Sequence, residues 1–171
     1  MRSFKTSLAL ILGVLFLFSS CTPGGETVTY KTRYGFSVEF PNSYSIKTDD
    51  ESMLRVFTNI ADLESSRFNI SPRNELFDID SISEEDLVQW IEESMTVTVV
   101  NQISAMRNNE NGVNSISLNA LFTSDDVEGL IKYAYFNVKG QTFLFMALAN
   151  GTDFDLLEPF NQVFDSIKPL S

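Results

Sequence analysis

The sequence predicts a single α+β domain, an antiparallel sheet with helices on its faces. Three observations lead there: period-two alternation recurs from residue 28 to residue 148, turn residues join the successive strand-like runs, and only two segments carry the period near 3.6 of an amphipathic helix. Hairpins with one helix inserted mid-chain and one at the end make a layered α+β architecture.

Val28–Arg33 and Phe36–Phe40 predict an opening pair of strands around Tyr34-Gly35. In the second, Phe36, Val38 and Phe40 share one face, and Pro41-Asn42-Ser43 closes it. Met53–Asn59 and Phe68–Ser71 predict two more short strands. A helix then opens at Ser83, whose hydroxyl can cap it. Glu84, Glu85 and Asp86 sit at the positive end of its dipole, and Leu87, Ile91 and Met95 recur every four residues. Glu92 and Glu93 are expected to face solvent, and the β-branched run Thr96–Val100 leaves the helix end open.

Ile103–Arg107 and Val113–Thr123 predict a hairpin turned at Asn111-Gly112. Ile116, Leu118, Ala120 and Phe122 lie on one of its faces. A second hairpin joins Leu130–Val138 to Thr142–Leu148 through Lys139-Gly140-Gln141. Because Phe143–Leu148 is apolar on both faces, it predicts the centre of the sheet. Thr152 or Asp153 caps a last helix with Leu156, Leu157, Phe160, Val163, Phe164 and Ile167 as its stripe. Pro159 predicts either a kink or a regular helix that starts near Glu158, and Lys168-Pro169 ends it.

The first twenty residues have another character. Arg2 and Lys5 precede an unbroken apolar run from Leu8 to Phe18, then Ser19 and Ser20, which is the layout of a secretory signal. The run is too short for a bilayer span, which takes roughly 20 apolar residues. Phe18-Ser19-Ser20-Cys21 resembles the bacterial lipobox, with Phe18 where that pattern usually has Leu. The resemblance implies that residues 1–20 are a signal peptide cut before a diacylated Cys21, that residues 21–27 are a lipidated stalk, and that residues 28–171 form the domain. Cys21 is the one cysteine, so no disulfide partner competes for it. Each buried lipid CH₂ contributes about 0.8 kcal/mol, enough over two or three chains for permanent anchoring in the bilayer. The expected address is the bacterial envelope, with Thr22 in place of an inner-membrane-retaining Asp pointing to the outer membrane.

Loss of residues 1–20 removes two bases and no acid, so the formal charge moves from −11 to −13. So acidic a chain is not expected to bind nucleic acid or to lie flat on anionic lipid.

Gly35-Phe36-Ser37-Val38-Glu39-Phe40-Pro41-Asn42-Ser43-Tyr44 is similar to the opening hairpin of PsbP-like proteins. The hairpin Tyr133–Leu148, with the helix bearing Phe160, Phe164 and Ile167, resembles that family's C-terminal half. The resemblance implies an α/β/α sandwich, in a family whose members include a photosystem extrinsic protein, a Ran-binding import factor and bacterial lipoproteins. It supplies no catalytic residue.

The absence of histidine removes imidazole general bases and imidazole zinc ligands, and lipid on Cys21 would remove the thiol. No catalytic residue, cofactor or metal site is expected. Three acidic clusters, Asp49-Asp50-Glu51, Glu84-Glu85-Asp86 and Asp125-Asp126-Glu128, lack the spacing of a calcium loop. Trp90 can edge the core or stand as a contact residue, and Tyr133 and Tyr135 share a strand face that forms either an aromatic patch or the seat of a helix. Asp80-Ser81-Ile82 and Asp165-Ser166-Ile167 look like short O-glycosylation triplets. The expected function is a non-catalytic envelope lipoprotein that binds or scaffolds an envelope protein or glycan. The alternatives are a carboxylate-dependent glycan hydrolase and a calcium-responsive module.

Overall fold

The computed structural model describes residues 26–57, 66–125 and 127–171, so Cys21 lies outside the described residues. A three-stranded antiparallel sheet holds β1 (Thr27–Lys31), β2 (Phe36–Pro41) and β10 (Lys168–Pro169), in the order β1-β2-β10. The seven-stranded sheet holds β3 (Ser45–Asp49), β4 (Leu54–Phe57), β5 (Ser66–Pro72), β6 (Thr98–Glu110), β7 (Val113–Ser124), β8 (Val127–Val138) and β9 (Gln141–Asn150). Its order is β3-β4-β5-β9-β8-β7-β6, and every pair is antiparallel. Helix α1 spans Glu84–Met95 and α2 spans Glu158–Asp165.

Period two divides the large sheet into two faces. Phe136, Phe143, Phe145 and Ala147 point to one, where Phe36, Val38 and Phe40 of β2 and Phe160, Val163 and Phe164 of α2 cover them. Ile116, Leu118, Ile131, Tyr133 and Tyr135 point to the other, beneath Leu87 and Ile91 of α1 and the 3₁₀ turn Ile79–Ser81. Burying each such side chain stabilises the fold by roughly 1.5–3 kcal/mol, so the two apolar faces hold the three layers together. The fold is the α+β sandwich that the sequence predicts.

The details correct several expectations. The opening strands form a separate sheet, and Thr27, expected in the stalk, begins β1. Strand β3 escaped prediction because its alternation is weak, with Ile46 41% exposed. The later part of the expected strand Met53–Asn59 falls outside the described residues. Thr96 takes a left-handed conformation at φ 57°, which stops α1 at Met95, and the β-branched residues beyond it start β6. Both predicted hairpin turns hold: Asn111 and Gly112, and Lys139 and Gly140, all have positive φ, the mirror-image geometry that suits twisted strands.

Strand β9 occupies the middle of the seven-strand order, as its apolar run predicts. Only one of its faces is fully shut, however: Phe143, Phe145 and Ala147 are buried, whereas Leu144, Met146 and Leu148 are half-buried. Asp153 caps a 3₁₀ turn, Phe154–Leu157, and Pro159 is the second residue of α2, where its missing N–H breaks no bond. Leu156 leaves the expected stripe and is exposed.

Candidate functional site

Where α1 departs from the sheet, it leaves a cleft of about 420 Å³ lined by Arg73, Phe77, Trp90, Glu93, Ser94, Tyr133, Tyr135 and Leu144. A second hollow of about 350 Å³ continues it past Pro72, Asn74 and Glu75, sharing Arg73 and Phe77.

Local chemistry fixes the walls. Ser83 accepts from the Asp86 N–H at 3.1 Å while the Asp86 carboxylate accepts from the Ser83 N–H at 2.7 Å, the reciprocal cap that starts α1. Those bonds hold the Asp86 carboxyl below the usual carboxylate range. The Arg107 guanidinium donates to the Ile79 carbonyl at 2.7 Å and to that of Ile82, which ties the turn before α1 to β6. Phe77 is pinned by its backbone: its N–H donates to Thr142 Oγ1 at 2.7 Å and its carbonyl accepts from Asn137 Nδ2 at 2.8 Å. Thr142 Oγ1 donates in turn to Asn137 Oδ1 at 2.6 Å, which closes the network.

The aromatic rings are arranged around Tyr135. Trp90 meets it edge-on at 5.1 Å between centroids, Phe77 lies 5.1 Å away, and Tyr133 is edge-on at 5.7 Å. These separations are those of favourable aromatic pairs. The Arg73 guanidinium stands 6.0 Å over the Tyr135 ring. The Tyr133 and Tyr135 hydroxyls are 3.3 Å apart, and burial together with that contact pushes the Tyr133 hydroxyl upward. It therefore stays protonated and is no base at neutral pH. The lining contains a single carboxylate, Glu93, which accepts from Gln89 at 2.7 Å. The cleft offers stacking surface, a guanidinium and hydroxyls.

Of the two readings of the tyrosine face, the seat of a helix is the one realised: α1 covers it, Tyr133 and Tyr135 are buried, and only their edges line the cleft floor. Trp90 is half-buried and lines that cleft. Arg73, Phe77 and Ser94 are the members that the sequence did not single out, the first two because their segment has no periodicity. Glu92, expected in solvent, instead accepts from the Val99 N–H at 2.9 Å and joins α1 to β6.

Parts of the first two acidic clusters are engaged within the fold. Asp50 accepts from Ser52 and Met53 within its own turn, and Asp49 accepts from the Tyr30 hydroxyl. Glu84, Glu85 and Asp86 form the first turn of α1. In the third cluster, Asp126 lies outside the described residues. Among the described residues no three Asp, Glu, Cys or His side chains converge as a metal would need. Of the two glycosylation-like triplets, Asp165-Ser166-Ile167 is structural: Ser166 accepts from the Glu39 N–H at 2.7 Å, and Ile167 is buried.

Set beside solved structures, the chain aligns with the solution structure of the cyanobacterial PsbP protein CyanoP from Synechocystis sp. PCC 6803 at a TM-score of 0.60 and 12% identity, over 85% of this chain and 93% of that one. The fold is PsbP/Mog1-like. The Saccharomyces cerevisiae Ran-binding protein Mog1p aligns at a TM-score of 0.61 and 6% identity, over 86% of this chain and 97% of Mog1p. A Pseudomonas aeruginosa protein of unknown function, described as a putative regulator, aligns at 0.51 and 15% identity, over 86% and 99%. No family model matches the sequence, and no curated protein matches it. At these identities the likeness establishes the PsbP/Mog1-like fold alone.

Proposed function

We propose that this chain is a lipid-anchored envelope protein whose PsbP/Mog1-like domain is a non-catalytic binding or scaffolding module, docking an envelope protein or glycan at the aromatic cleft beside α1. The observation that carries the reading is the set Trp90, Phe77, Tyr133 and Tyr135 lining one cleft with Arg73. Half-buried Trp90 and Phe77 beside the exposed Arg73, in a concave surface floored by the buried tyrosines, are the kind of anchors that recognition sites use. Mog1p, which shares the fold, is a Ran-binding protein, and that kinship supports a binding role. The anchor rests on Cys21 and the apolar run before it, and Thr22 favours the outer membrane.

The test is recovery of a partner. Bait carrying the native cleft, crosslinked in the envelope, is expected to return the same protein or glycan repeatedly, and Trp90→Ala bait with an unchanged fold is expected to lose it. Repeated recovery of nothing, or equal recovery by Trp90→Ala, rejects the cleft. Mass spectrometry of the mature N-terminus tests the anchor separately: acylated Cys21 is expected, and an unmodified cysteine or another cleavage point rejects it.

A further inference from the structure

On the opposite face of the sheet, beneath α2, an apolar layer is interrupted by charge. Period two turns Lys132 the same way as Leu130, Ala134 and Phe136, under the helix. Lys132 is only 3% exposed, with its Nζ 4.8 Å from the centre of the Phe164 ring. Beside it lies a hollow of about 230 Å³. Its sheet side carries Lys132 with Ser115 and Ser117, themselves 4% and 5% exposed, and its helix side carries Glu158, Asn161 and Asp165. Asn161 is held in place by Asn119, whose Nδ2 donates to its Oδ1 at 3.2 Å.

The electrostatics of this hollow are unbalanced. Burial lowers the Lys132 ammonium to about 8, and the attraction of Asp165 and Glu158 offsets only part of that effect. At neutral pH the amine is still charged, stripped of water and incompletely compensated. A simple anion brought to it would meet the carboxylates of α2. A simple cation brought to those carboxylates would meet Lys132. A molecule with both signs on neighbouring atoms satisfies the two sides at once, its carboxylate toward Lys132 and the serine hydroxyls and its ammonium toward Glu158 and Asp165.

We propose that this hollow binds a small free α-amino acid as its zwitterion. Size sets the limit on the side chain: at roughly 30 Å³ per water-sized group, a hollow of about 230 Å³ holds up to about seven non-hydrogen atoms, which covers the five to seven of glycine, alanine and serine. This inference is independent of the aromatic cleft, which lies across the sheet.

Thermal shift and calorimetric titration at pH 7 with glycine, alanine and serine test it, with acetate and ethylamine as half-ligands. Expected is a saturable stabilisation by at least one amino acid and none by either half-ligand at the same concentration. Lys132→Met, which places an apolar side chain of similar length on an apolar face, is expected to weaken binding at least roughly tenfold. Glu158→Gln with Asp165→Asn is expected to do the same. The proposal is overturned by the absence of saturable binding for all three amino acids, by an equal response to acetate or ethylamine, or by full binding in folded Lys132→Met protein.

Discussion

Trp90 meets Tyr135 edge to face, 5.1 Å between ring centroids at 79°, across the seam between α1 and the large sheet. Trp90 is the sole tryptophan of the chain, so the seam carries its own optical probe. Replacing Tyr135 by Leu is expected to shift Trp90 emission to the red and to flatten its near-ultraviolet dichroism, with the far-ultraviolet spectrum preserved. Trp90→Ala, which removes a half-buried ring, is expected to cost about 2 kcal/mol by urea denaturation, below the usual cost of truncating a fully buried aromatic. Trp90→Phe should recover most of that loss.

Thr142 offers a sharper test, because one hydroxyl serves two partners. It is fully buried, accepts from Phe77 and donates to Asn137. Thr142→Val keeps the shape and deprives the part-buried Phe77 N–H and Asn137 Oδ1 of this partner. A loss of roughly 1–3 kcal/mol is expected, and Thr142→Ser should retain most of the stability. Hydrogen exchange at the Phe77 amide should quicken in the valine variant and not in the serine variant.

Lys132 gives the fold an alkaline signature. Its ammonium is disfavoured in the folded state, where it titrates at about 8, against 10.5 for an ordinary lysine. Between those two values the unfolded chain binds the more protons, so this group makes stability rise with pH across that window. Lys132→Met removes the cost of burying the charge and is expected to be more stable than wild type at pH 7, by up to about 3 kcal/mol. The advantage should shrink as pH climbs from 8 toward 10.5. An advantage independent of pH would refute the assignment.

The cap of α1 gives an acid signature in which stability again rises with pH, here because the folded state favours the charged form. Hydrogen bonds from Ser83 lower the Asp86 carboxyl, so its contribution is present above the ordinary carboxylate value and disappears as pH falls through the lowered one. Asp86→Asn should therefore differ from wild type at pH 7 and converge on it in acid. Ser83→Ala, which loses the other half of the cap, is expected to cost about 1 kcal/mol.

Period and turn chemistry determined much of this protein without reference to its tertiary structure. The hairpins at Asn111-Gly112 and Lys139-Gly140, the start of α1 at Ser83, the central place of β9 and the stripe of α2 are all local facts, fixed by φ preferences, caps and the spacing of apolar side chains. The tyrosine face and Trp90 were legible as candidates for the same reason. The division into two sheets was not, because it depends on β10 returning to pair with β2 over a separation of more than 120 residues. Arg73 and Phe77 belong to the cleft only because the Thr142 and Asn137 side chains capture an aperiodic segment. Lys132 shows the boundary most clearly: alternation along β8 assigns it to the apolar face, but only the packing of α2 across β7 and β8 sets Glu158 and Asp165 opposite it. Local preferences act through neighbours in the chain, whereas a binding surface is made by groups that meet only after distant segments have packed.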